Sequence, residues 1–158
     1  MLTFTVYGVP IPQGSTRAFI PKGWTRPIVT ADNAKTKPWR QAIVDSAREQ
    51  MRGCGPLLGP VELTVRFYLP RPKSAPKRVL VPAKLPDLDK LVRAVCDALT
   101  AAGVWRDDAQ VVQVLASKAF AGGVADPDPN GVPRATIEVY ERWRSYLRRL
   151  PQEARVPR

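Results

Sequence analysis

The sequence predicts a small single α+β domain: a mixed β-sheet with two main helices packed on it, plus a short C-terminal helix. Three observations predict it. Three segments alternate apolar and polar residues with the period of half-buried strands, and two windows carry the recurrence of amphipathic helices. The 17 prolines, about twice the usual share of roughly 5%, confine both to the Pro-free windows 1–9, 39–55, 61–69, 87–126 and 134–150. At 158 residues the chain has one domain's length and enough to bury a core.

Taken in order, residues 1–9 set Leu2, Phe4 and Val6 against Thr3, Thr5 and Tyr7, which makes a strand with one apolar face. In 39–52, Trp39, Ile43, Ala47 and Met51 recur every four residues behind Pro38, a residue suited to a helix start. Residues 61–69 alternate again, with Val61, Leu63, Val65, Phe67 and Leu69 on one side. In 87–102, Leu88, Leu91, Val92, Val95, Leu99 and Ala102 form a helical stripe that Gly103 is placed to terminate. A strand is expected at about 109–116, and another at 135–140 through Ile137 and Val139. The long connections 10–38 and 70–86 each hold five prolines and five basic residues, and read as loops. Residues 1–141 make the domain and 142–158 a basic tail. In the tail, Trp143, Tyr146, Leu147 and Leu150 have helical spacing over 142–150.

Charge narrows the function. The chain carries 25 Lys and Arg against 14 Asp and Glu, a net +11, which calls for an anionic partner. No segment is long and apolar enough to span a bilayer, and no targeting signal opens the chain. A cytoplasmic protein acting on nucleic acid is therefore expected. The absence of His removes Ser-His-Asp and Cys-His catalysis and every His-ligated metal site. Cys54 and Cys96 are too few for a zinc module and read as free thiols.

Acids gather where the chain is otherwise least basic. Asp87 and Asp89 open the second helix, and Asp107 and Asp108 follow the turn after it. Each pair has a structural use as a helix cap, a first-turn acid or a turn residue. Together, beside a polyanion, they have a second use, because Mg²⁺ takes one or two carboxylates along with water and phosphate oxygens. With no His to act as base, a metal-assisted phosphodiesterase follows. Arg93 stands one helical turn after Asp89, where a guanidinium can grip a phosphate. Asp97, one further turn on, fits a salt-bridge ladder on a solvated face. Lys90 and Lys118 suit phosphate or water contacts.

The run Pro86-Asp87-Leu88-Asp89-Lys90-Leu91, continued by Asp97-Ala98-Leu99-Thr100 and by Asp107-Asp108-Ala109-Gln110-Val111, resembles the RusA family of Holliday-junction resolvases. Pro12-Gln13-Gly14-Ser15-Thr16-Arg17 and Lys37-Pro38-Trp39-Arg40 are similar to basic segments of its phage-type members. The resemblance implies a homodimer, phage- or prophage-encoded, that binds four-way junctions in nucleoid DNA. It implies paired nicks that need Mg²⁺, with Mn²⁺ as the substitute. It places catalytic and metal-binding carboxylates on Asp87, Asp89 and Asp108, with Asp107 beside them, and a catalytic cation on Arg93. The family often has Lys where this chain has Arg93, and Asn where it has Lys90. Arg17, Lys37, Arg40, Lys84, Lys90 and Lys118 are the residues expected to meet DNA. The competing functions are a non-catalytic DNA-binding protein of the same fold and a metal nuclease directed at flaps or RNA.

Overall fold

In the computed structural model the chain runs β1 (Leu2–Tyr7), β2 (Thr16–Phe19), β3 (Ile28–Ala31), α1 (Thr36–Gln50), β4 (Val61–Leu69), α2 (Leu88–Ala102), β5 (Val111–Phe120) and β6 (Arg134–Glu141). The structure describes residues 1–14, 16–20, 22–26, 28–31 and 35–141, with backbone alone for β2 and β3. The C-terminal helix expected over 142–150 lies outside the described residues, as does the rest of the 142–158 tail.

Alternation in the strands becomes a two-faced sheet in the order β1-β6-β4-β5. β6 runs antiparallel to both β1 and β4, while β5 runs parallel to β4, so the sheet is mixed. Pairing Val65 with both Ile137 and Ala116 puts their side chains on one face. On that face Val61, Leu63, Val65 and Phe67 are buried to 1% exposure or less. They pack with Phe4 and Val6 of β1, Trp39, Ile43 and Ala47 of α1, and Leu91, Val95 and Leu99 of α2. Each large side chain so buried contributes about 1.5–3 kcal/mol before the entropy cost. The other face presents residues such as Thr64, Arg66 and Thr136 to the surface.

The parallel β4–β5 pair requires a crossover, and α2 supplies it. The helix starts by the Leu69 end of β4 and finishes by the Val61 end. There Gln110 Nε2 donates to the carbonyls of Leu57 and Gly59, both at 3.0 Å. Gly103, at φ 80°, ends α2 in the left-handed conformation that glycine adopts without penalty. Trp105 follows it into the core at 1% exposure, its Nε1 donating to Thr100 Oγ1 at 2.7 Å.

α1 begins at Thr36, three residues before the expected start. Pro38 therefore lies in the first turn, where a missing N–H costs no helix bond. β5 continues to Phe120, beyond its expected end near 116. The β2–β3 hairpin falls in a stretch that proline count marks as loop. Its strands are four residues each, too short for alternation to register, although Ile28-Val29-Thr30 is a β-branched run.

The turn-rich link before β6 is tied by a buried ion pair. Arg134 Nη1 and Nη2 donate to Asp126 Oδ2 and Oδ1 at 3.0 and 2.5 Å, and the guanidinium lies 4.0 Å from the Tyr68 ring centre. Asp126 also accepts the backbone N–H groups of Gly122 and Asp128, each at 2.9 Å. Among the described residues, no helix is long and apolar enough to cross a membrane.

Candidate active site

The apolar stripe of α2 fixes which way its polar residues point. With Leu91, Ala94, Val95, Ala98 and Leu99 buried, Asp89, Arg93 and Cys96 fall within about 60° of one another on the opposite side, at 100° per residue. Asp89 and Arg93 are exposed, and among the described residues neither side chain has a hydrogen-bond or ion-pair partner.

Asp87 occupies the N-cap position with extended backbone, yet its side chain makes no capping bond. Its Oδ2 lies 3.2 Å from Lys90 Nζ, both side chains being somewhat over two-fifths exposed. An ion pair so open to water is worth little. Two neighbours hold this corner by its backbone. Lys118 Nζ donates to the carbonyls of Lys84 and Pro86, and the Gln13 N–H donates to the Lys90 carbonyl at 2.9 Å. Gln13 is thus anchored at the first turn of α2, far from it in sequence. Gln13 Oε1 is buried without a donor among the described residues.

Asp107 and Asp108 have separate fates. Asp107 caps the 3-10 turn Asp108–Gln110: its Oδ1 accepts the Ala109 N–H at 2.8 Å, and Gln110 Oε1 accepts the Arg106 and Asp107 N–H groups. Asp108 is exposed, with no hydrogen-bond or ion-pair partner among the described residues. Its charge reaches the middle of α2. Burial, then the carboxylates of Asp108 and Asp97, push the Cys96 thiol up to about 11, so Cys96 stays protonated at neutral pH. Cys96 and Cys54 are both free, as the sequence indicates.

The carboxylates are therefore of one kind chemically but are not gathered at one point. Asp87 and Asp89 open α2, whereas Asp108 follows the turn after that helix and is close enough for its charge to raise the Cys96 thiol. Among the described residues, no three His, Cys, Asp or Glu side chains come together as a metal cage. The donor set still fits Mg²⁺ in its chemistry. Hard anionic oxygens are free of structural duties, and this ion commonly takes one or two carboxylates and leaves its other positions to water and phosphate.

The expected DNA contacts divide in the same way. Lys37 and Lys84 are exposed. Arg40 is engaged across the helix pair, its Nη1 3.8 Å from Asp97 Oδ2, so Asp97 pairs with α1 and not with Arg93. Lys90 faces Asp87, and Lys118 faces main-chain carbonyls. Arg17 lies in β2, and its side chain is outside the described residues.

Asp89 and Arg93 thus lie exposed on the outer side of α2, in a chain of net +11. Residues 8–140 match the family model described as Endodeoxyribonuclease RusA. The chain belongs to the RusA endodeoxyribonuclease family, whose members are hydrolases acting on DNA. It is also 36% identical over 129 residues, 75% of this chain and 87% of the relative, to "Uncharacterized protein YqaN" of Bacillus subtilis (strain 168).

Proposed function

We propose that this chain is a Mg²⁺-dependent, structure-selective endodeoxyribonuclease that resolves four-way junctions by paired nicking as a homodimer. The observation that carries the proposal is the state of Asp87, Asp89 and Asp108. A basic protein keeps Asp89 and Asp108 exposed and Asp87 half-buried and loosely paired with Lys90, and caps neither α2 nor the 3-10 turn with any of them. These three would supply the oxygen ligands, drawn together as the ion binds, with Mn²⁺ as its substitute. Asp107 is less suited because one oxygen serves the cap. Bound there, Mg²⁺ supplies charge neutralisation and Lewis acidity at the phosphoryl oxygens. Arg93 grips the scissile phosphate through two parallel N–H donors and stabilises its added charge. Lys37, Lys84, Lys90 and Arg17 follow neighbouring phosphates. Action in the cytoplasm on nucleoid DNA, and a phage or prophage origin, belong to the same proposal.

Labelled duplex, flap, RNA and four-way junction substrates, each with Mg²⁺ or with chelator, test it. Nicks are expected in the junction and only with metal. Junction binding without cleavage would leave a non-catalytic binder, and faster cutting of flap or RNA would remove the junction as substrate. In the same assay Arg93→Ala loses on the order of a hundredfold in rate, and Arg93→Lys falls between it and wild type.

The dimer has a candidate seam. β5 is an outer strand of ten residues, and among the described residues no strand pairs with its free edge. It displays Val112, Val114 and Leu115 at 55, 44 and 61% exposure, an edge that proteins ordinarily cover. Light scattering is expected to give twice the 17.5 kDa chain mass for wild type, and the single mass for Val114→Lys with Leu115→Lys. A wild type monomeric at micromolar concentration would remove the dimer.

A further inference from the structure

Lys118 sits in β5 opposite Phe67, on the helix-covered side of the sheet. Its Nζ donates to the Lys84 carbonyl at 2.8 Å and to the Pro86 carbonyl at 2.9 Å. An ammonium has three donors, so two are already committed to main chain. Elsewhere the segment is held by the Arg71 guanidinium over the Phe120 ring, 5.1 Å from its centre, and by buried Pro82, both before residue 84. Five prolines remove N–H groups from residues 70–86. The remaining backbone bonds there are local turns, such as Ala75 to Pro72, Val79 to Pro76 and Ala83 to Val81. Among the described residues, no other hydrogen bond ties 84–86 to the sheet. Asp87 comes next in the chain.

We infer that Lys118 is a positioning residue whose ammonium clamps residues 84–86 to β5 and thereby fixes where Asp87 enters α2. Charge-assisted bonds to two carbonyls hold better than neutral ones, and Lys delivers them as a compact point that the planar guanidinium of Arg does not copy. The catalytic consequence rests on Asp87 belonging to the site proposed above. The clamp itself does not. The rival role is phosphate contact, which the chain's basic character favours, and the two roles leave different marks. Loss of a phosphate contact weakens binding and lowers the slope of log K against log salt by roughly 0.9. Loss of a clamp leaves both alone and disturbs the geometry of Asp87, and a displacement of about 1 Å in a reacting group can cost up to a hundredfold in rate.

The test uses full-length Lys118→Met, with Lys118→Arg as the second variant should the first not fold. Amide hydrogen exchange across residues 84–91 is expected to speed up several-fold while exchange in β4 and β6 stays at the wild-type rate. Junction affinity and salt slope, measured with chelator, are expected to match wild type. The cleavage rate at saturating junction and Mg²⁺ is expected to fall roughly tenfold to a hundredfold. Unchanged exchange at 84–91, with weaker binding and a reduced slope, would overturn the clamp and make Lys118 a phosphate contact. If wild type nicks no substrate, the nuclease proposal fails, and the exchange measurement still decides the clamp.

Discussion

Asp87→Asn, Asp89→Asn and Asp108→Asn are each expected to suppress junction cleavage by on the order of a hundredfold to a thousandfold, the scale of losing one group that stabilises transition-state charge. Junction affinity is expected to hold or rise in all three. An amide oxygen is a poor Mg²⁺ donor, whereas removing a negative charge near phosphate lowers repulsion. None of the three caps the element it opens, so folding is expected to survive, and melting temperature provides the control. Single-turnover cleavage with excess protein, beside binding in chelator, separates the two effects. A variant that nicks near the wild-type rate takes its residue out of the site. Asp107→Asn should behave differently, because an amide oxygen still accepts the Ala109 N–H and preserves the cap.

The largest expected loss of stability lies away from the site. Asp126→Ala leaves the Arg134 guanidinium, 8% exposed, without its counter-charge, and breaking a buried pair costs about 3–5 kcal/mol. For a domain of this size the melting temperature should drop by roughly 8–15 °C. The pH dependence has a definite sign. Hydrogen bonds from Arg134, joined by the Asp128 and Gly122 N–H groups, hold the Asp126 carboxyl down to about 2, against the usual 3.8. Its stabilising contribution is therefore complete above the usual value and disappears as pH falls towards 2. The gap between wild type and Asp126→Ala should narrow over that window. Pairing Asp126→Asn with Arg134→Met should recover part of the loss, because no unpaired charge remains. A single Asp126→Ala variant melting within about 1 °C of wild type would show the pair to be idle.

Much of this fold is legible in the sequence because the forces that shape it are periodic. Alternation in 61–69 and 135–140 marks the two inner strands, and the stripe from Leu88 to Ala102 marks α2, down to Gly103 in its left-handed cap. What escapes is set by tertiary contacts. The Asp126–Arg134 pair joins a turn to a strand end, and nothing in Ala125-Asp126-Pro127 distinguishes it from solvent-facing turn sequence. The resemblance names Arg40 as a DNA contact, but its 3.8 Å approach to Asp97 arises only when α1 and α2 pack, which spacing does not encode. At the candidate site, residue types and spacing single out the four acids. Their division into a cap at Asp107 and three groups that cap nothing depends on side-chain direction, which spacing does not encode.

The order β1-β6-β4-β5 also bears on how the protein comes into being. β6, the last of the described strands, lies between β1 and β4, and Leu2 pairs with Val139. Throughout synthesis the first strand waits for a partner not yet made, and β4 has only β5 beside it. Contacts this distant along the chain close slowly, and their absence leaves apolar faces and open edges in the meantime. A premature stop before residue 134 should therefore yield an aggregating fragment in place of a smaller working domain. A nascent chain likewise has its acids in sequence long before the sheet that supports α2 is complete, so the fold delays assembly of the site until translation has passed Glu141.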